Sequence, residues 1–165
     1  MKALIDADIL AYEIGFSGQK KDAETGGIEI SSWEFVQELL QRKIDIICDE
    51  VRADSYQLFL TNTEWLNERL NKSVRLWEDP KPFVPNFRLA AALDGQEKAY
   101  KGQRVAAKPF HYYNLLVHLQ GVYGAVVSRE GLEADDLMCI EQMSRIDKRD
   151  TIICSRDKDL RQCHG

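Results

Sequence analysis

The sequence predicts an α/β fold with a mostly parallel central sheet flanked by helices. Three observations carry this reading. Four short apolar runs, KALID (2–6), YQLFL (56–60), VYGAVV (122–127) and DTIIC (150–154), are continuous rather than alternating, as strands covered on both faces are. Longer amphipathic stretches lie between them. Strand and helix therefore alternate in chain order, the pattern of parallel sheets with crossover helices.

KALID is the first strand. Ser31 or Ser32 caps a long helix whose apolar residues Phe35, Leu39, Leu40, Ile44, Ile47, Cys48 and Val51 recur at helical spacing. YQLFL is the second strand. The stretch from Asn62 to Arg104 breaks the rhythm: it holds Pro80, Pro82 and Pro85 and two of the three tryptophans. It reads as a long insertion over roughly 62–108, functional or partly ordered. A helix starts after Pro109, whose fixed φ suits a helix start, and carries Tyr112, Leu115, Leu116 and Leu119. VYGAVV is the third strand. A last helix runs from near Leu132 to about Ile146, and DTIIC is the fourth strand, with eleven residues after it.

The 165 residues suffice for one well-buried domain, read as a single core over 1–165. Twenty-two basic against 27 acidic side chains leave a net charge of −5, which excludes a histone-like mode of binding nucleic acid by bulk charge. Any such binding needs a local patch. No apolar run approaches the roughly 18 residues that span a bilayer, and acids interrupt the N-terminal apolar stretch, which disfavours a secretory signal. Cys48, Cys139, Cys154 and Cys163 sit at wide spacings without a zinc pattern and read as thiols of a reducing cytoplasm.

The carboxylates are placed informatively. Asp6 and Asp8 follow the first strand, Glu133, Asp135 and Asp136 open the helix after the third, and Asp157 and Asp159 follow the fourth. Ligands of open parallel sheets bind beyond the carboxyl ends of the strands, so three acid groups converge on one edge. Each has an ordinary explanation alone: acids in a first helical turn gain about 0.3–1 kcal/mol from the macrodipole, and an Asp-x-Asp can serve a turn or a cap. Their coincidence at one edge is the stronger signal. Crowded carboxylates cannot all ionise without compensation, and hard oxygen ligands without His or Cys select Mg²⁺ or Mn²⁺. A pair of such ions about 3.5–4 Å apart supports in-line displacement at phosphorus.

Residues 98–112 (KAYKGQRVAAKPFHY) supply a basic counterpart: Lys98, Lys101, Arg104 and Lys108, with Tyr100, Phe110, Tyr112 and Tyr113 interleaved or adjacent. Cations meet phosphates and rings stack on bases. Phe110 and Tyr113 also suit a core, and His111 and His118 receive no role.

In that order, LIDADILAY, AYKGQR, GLEADDLM and TIICSRDKDL resemble the 5′ nuclease family, which comprises bacteriophage exonucleases, the 5′-nuclease domains of bacterial DNA polymerases and flap endonucleases on a PIN-like fold. The phage branch is the nearest, and the resemblance spans 1–165 apart from roughly 63–95. It implies that Asp6, Glu133, Asp135, Asp136, Asp157 and Asp159 hold two Mg²⁺ or Mn²⁺ ions. It implies that Lys101 and Arg104 contact the scissile phosphate and that Tyr100 stacks near the terminal nucleotide. The partner is then DNA at 5′ ends or flaps and the location the cytoplasm, that of the host for a phage protein, with a monomer expected and no membrane partner. Asp8 is a lesser ligand. Asn62 stands where relatives carry an Asp after the second strand, and relatives continue past this point with further aspartates and a helical duplex grip.

Rival readings are a haloacid-dehalogenase-like phosphatase, with Asp6 as covalent nucleophile, a PIN-type ribonuclease, and a domain that binds DNA ends without cutting.

Overall fold

The computed structural model describes residues 1–86, 90, 107–145, 147, 150–158 and 160. The first apolar run forms strand β1 (Lys2–Asp6), four of its five residues buried. Ala3 and Ile5 enter one apolar cluster and Leu4 the other, so the strand is covered on both faces.

Asp6 then caps helix α1 (Ala7–Ser17), its Oδ1 accepting the Asp8 and Ile9 N–H groups at 3.1 and 3.2 Å. No helix is expected here from the sequence. Apolar residues surround most of the α1 circumference, so no stripe of helical period stands out; Ala7, Leu10, Ala11, Ile14 and Gly15 are all buried.

Strands β2 (Gln19–Lys21) and β3 (Ile28–Ile30) form a separate antiparallel pair. Asp22 shapes its turn by accepting the Glu24 N–H at 2.8 Å, and Gly26 supplies a φ of 70° that favours glycine. This hairpin buries no face and so leaves no hydrophobic pattern to read.

Helix α2 (Trp33–Val51) starts at the Ser32 cap and ends at Arg52, and it buries Val36, Leu40 and Ile44. Strand β4 (Ser55–Leu60) follows. The excursion after it opens with a helix rather than a loop, α3 (Glu64–Asn71), capped by Thr63. Helix α4 (Tyr112–Gly121) and strand β5 (Val126–Val127) come next; the strand is shorter than the six-residue run predicted, because Gly124 takes a φ of 64°. Helix α5 (Ala134–Ser144) and strand β6 (Thr151–Cys154) complete the described elements.

The main sheet has the order β5-β4-β1-β6, and every neighbouring pair is parallel. All four strands therefore end at one edge. Helices α1, α2 and α4 contribute to the larger core cluster, while α5 packs Ala134 and Met138 with Leu4, Phe59 and Leu160. No helix among the described residues is long and apolar enough to cross a membrane. Cys48 and Cys154 are free thiols, whereas Cys139 is disulfide-bonded, contrary to the expectation of thiols throughout; Cys163 lies outside the described residues.

One glycine fixes a close approach. A Cβ at Gly15 would lie 2.5 Å from Pro109 Cγ and 2.9 Å from its Cβ, at the entry to α4. Gly15→Ala gains up to about 1 kcal/mol of helix propensity, but overpacking against a rigid ring costs about 1–3 kcal/mol. A net loss of roughly 1 kcal/mol is expected in urea denaturation. An unchanged or raised midpoint would mean that Pro109 yields.

Candidate metal centre

At the shared strand edge, β1 ends in Asp6, the first turn of α1 carries Asp8, and the start of α5 brings its cap Glu133 with Asp135 and Asp136. Strand order explains the meeting: β1 and β4 are central, α5 packs across both, and its N-terminus lies where they end. Asp6 and Glu133 are buried, and Asp8, Asp135, Asp136 and Asp157 are half-buried.

Glu133, Asp135 and Asp136 offer ligand oxygens that all lie within 4.8 Å of one another. They sit at the first turn of α5, closed as a capping box in which the Asp136 carboxylate accepts the Glu133 N–H at 2.9 Å. The helix-start explanation therefore holds for Asp136. It does not account for Asp6 and Asp8, which arrive from the other end of the chain.

The two groups feel each other. Burial pushes the Asp6 carboxyl above the usual carboxylate range, the Ser155 hydroxyl pulls it back, and the negative charge of Asp135 adds to the rise. Burial first and the Asp6 charge second push Asp8 up to about 7, with Glu133 adding to the rise and Thr61 opposing it. Such crowding fits hard dications: every candidate ligand here is a carboxylate, and no His or Cys belongs to the cluster of Glu133, Asp135 and Asp136.

Asp157 joins through Ser155. The Ser155 hydroxyl donates to Asp6 Oδ2 at 2.9 Å and accepts the Asp157 N–H at 3.1 Å. Asp157 lines a cavity of about 520 Å³ with Gln142, Ile152, Ile153 and Leu160, and Asp6 lines a neighbouring one of about 430 Å³ with Glu13, Lys43 and Cys154. Arg156 lines both, paired with Glu13 at 3.2 Å.

Asn62 is held as part of the scaffold. Its N–H donates to Ser128 Oγ at 2.9 Å and its Nδ2 to Asn67 Oδ1 at 3.1 Å, while its Oδ1 is buried and accepts no hydrogen bond among the described residues. Asn67 passes the link on to the Lys81 carbonyl at 3.0 Å, tying the base of the excursion to the sheet.

Asp159, Lys98, Tyr100, Lys101 and Arg104 lie outside the described residues. Lys108 is described: its Nζ donates to the Tyr113 hydroxyl at 3.2 Å and lies 4.9 Å from the centres of both the Tyr112 and Tyr113 rings. These rings belong to a ladder, with Tyr113 4.5 Å from Trp65 and Tyr112 4.6 Å from Tyr12, itself stacked with Phe16 at 6.5 Å. The ladder adjoins the acids: the Tyr112 hydroxyl is pushed up mainly by burial, then by Tyr12, and also by the Asp8 charge.

Thr61 and Ser155, which hold the acids at this edge, and Ser128, which holds only the Asn62 backbone, are not among the site residues expected from the sequence. Each stands directly after an apolar strand run, in LFLT, VVS and TIICS, and that repetition was the available signal.

No protein-family model matches the chain, and neither a curated protein nor a solved structure matches it.

Proposed function

We propose that this chain is a PIN-like, divalent-metal-dependent nuclease domain that hydrolyses phosphodiesters in DNA, at a 5′ end or a flap. The observation that supports it most is the meeting of Asp6 and Asp8 with Glu133 and Asp135 at the strand edge, where burial raises the Asp6 and Asp8 carboxyls and the charges of Asp135 and Glu133 add to the rise. Asp6, Asp8, Glu133 and Asp135 would hold the ions, with Asp136 closing the helix start and Asp157 and Asp159 completing the set. The bound ions would supply Lewis-acid activation of water and neutralisation of charge at the phosphate.

The chain's own residues do the rest. Asp6 is oriented by the α1 N–H groups and the Ser155 hydroxyl, and Asp8 by Thr61. Lys101 and Arg104 are assigned to the scissile phosphate, and Tyr100, Lys98 and Lys108 to the approaching strand. Tyr12 and Tyr113, the exposed rings of the ladder beside the acids, support a substrate with stackable bases.

The test is incubation of the purified protein with 5′-labelled flap DNA, and with RNA of the same sequence, in Mg²⁺, Mn²⁺ or EDTA. Metal-dependent release of labelled products from DNA is expected. DNA retarded in a gel but left intact in Mn²⁺ would instead favour a binding domain, faster cleavage of RNA a ribonuclease, and a phosphoenzyme trapped at Asp6 a phosphatase.

A further inference from the structure

Two hydroxyls at the strand edge each touch an acid on one side and the backbone of the next acid group on the other. Thr61, one residue past β4, gives its backbone N–H to both Asp8 carboxylate oxygens at 3.1 and 3.2 Å, and its hydroxyl adds to the same support. The Thr61 Oγ1 meanwhile accepts the Ala134 N–H at 3.0 Å. That N–H is one of the unpaired donors at the start of α5, so the helix that carries Glu133, Asp135 and Asp136 is pinned to β4 at its first turn. Ser155, one residue past β6, repeats the arrangement: it donates to Asp6 and accepts the Asp157 N–H.

Three acid groups on three separate segments are thus joined in pairs by single side-chain oxygens. We infer that Thr61 and Ser155 are positioning residues that set the spacing of the acid groups for divalent-ion binding. The inference rests on the metal-dependent reading above and adds to it two residues that are not themselves ligands. Like carboxylates left alone would move apart. A hydroxyl that binds an acid and the neighbouring backbone at once opposes that movement before any ion arrives. Ser128 supplies an internal comparison, because its fully buried hydroxyl accepts the Asn62 N–H at the same edge, a bond to scaffold rather than to an acid.

The test is Mn²⁺ uptake, read from loss of the free-ion spin-resonance signal, in the wild type and in Thr61→Val, Ser155→Ala and Ser128→Ala, with thermal melts of each. Thr61→Val and Ser155→Ala are expected to weaken Mn²⁺ binding by roughly 10–100-fold, the range for residues that orient metal ligands. Their melting temperatures should fall by no more than about 4 °C in EDTA. Ser128→Ala should bind Mn²⁺ like the wild type, and Thr61→Ser and Ser155→Thr should retain binding. Wild-type protein that takes up Mn²⁺ while Thr61→Val and Ser155→Ala do so equally well overturns this inference alone. Equal weakening in Ser128→Ala overturns it too, by showing a general effect of hydroxyl loss. A wild type that takes up no Mn²⁺ overturns the metal-dependent reading and this inference together.

Discussion

Asp135→Asn is expected to reduce DNA cleavage by at least about 10³-fold, or about 4 kcal/mol of transition-state stabilisation, while the protein stays folded and binds DNA as tightly or more tightly. The change removes one negative charge from a group of ligand oxygens within 4.8 Å of each other and keeps the shape of the side chain. Asp135 also adds to the rise of the Asp6 carboxyl, so its neutralisation relieves repulsion between the two groups. Loss of ion binding and gain in phosphate attraction should therefore separate cleanly. Single-turnover cleavage and gel retardation on the same flap substrate measure the two effects. Cleavage that survives the substitution would remove Asp135 from the ion-binding set.

The second large effect is on stability. The Asp8 carboxyl is held at about 7 in the folded protein, against about 3.9 for an unfolded chain. Between those values the folded state binds the extra proton, so stability falls as pH rises. Metal-free protein should thus melt at a lower temperature at pH 8 than at pH 5, with Asp6 acting in the same direction. Saturating Mn²⁺ should offset the loss at pH 8. At 100 times the dissociation constant it contributes about 2.7 kcal/mol, equivalent to roughly 5–10 °C. Asp8→Asn should flatten the slope between pH 5 and pH 8 and raise the metal-free melting temperature at pH 8. Melts in EDTA and in Mn²⁺ decide this, and a slope unchanged by Asp8→Asn would assign it to another group.

Much of this arrangement was legible in the sequence, for physical reasons that can be named. Strands β1, β4 and β6 are apolar along most of their length because helices cover both faces, and α2 shows a stripe because only Val36, Leu40, Ile44 and their neighbours are covered. Asp6 and Glu133 could be placed at strand and helix ends because topology, not side-chain detail, brings those ends together. Helix α1 escaped notice because it has no polar face wide enough to mark, and Asp6 reads as a ligand while also serving as its cap. The β2–β3 hairpin escaped because it buries nothing. Thr61 and Ser155 escaped for a third reason. A hydroxyl is ordinary in sequence, and only the meeting of chain segments far apart makes it a bridge. The basic stretch at 98–104 lies outside the described residues, so the proposed phosphate contacts rest on the sequence alone.

The turn from β5 into α5 carries a further implication. Glu130 and Gly131 both take positive φ, at 58° and 80°, so the chain reverses through two successive left-handed residues before the helix begins. Positive φ suits glycine and costs a residue with a Cβ about 1–2 kcal/mol. The backbone direction that leads into the Glu133 cap therefore depends on Gly131 having no side chain, and any substituent there would strain the approach to the acidic array.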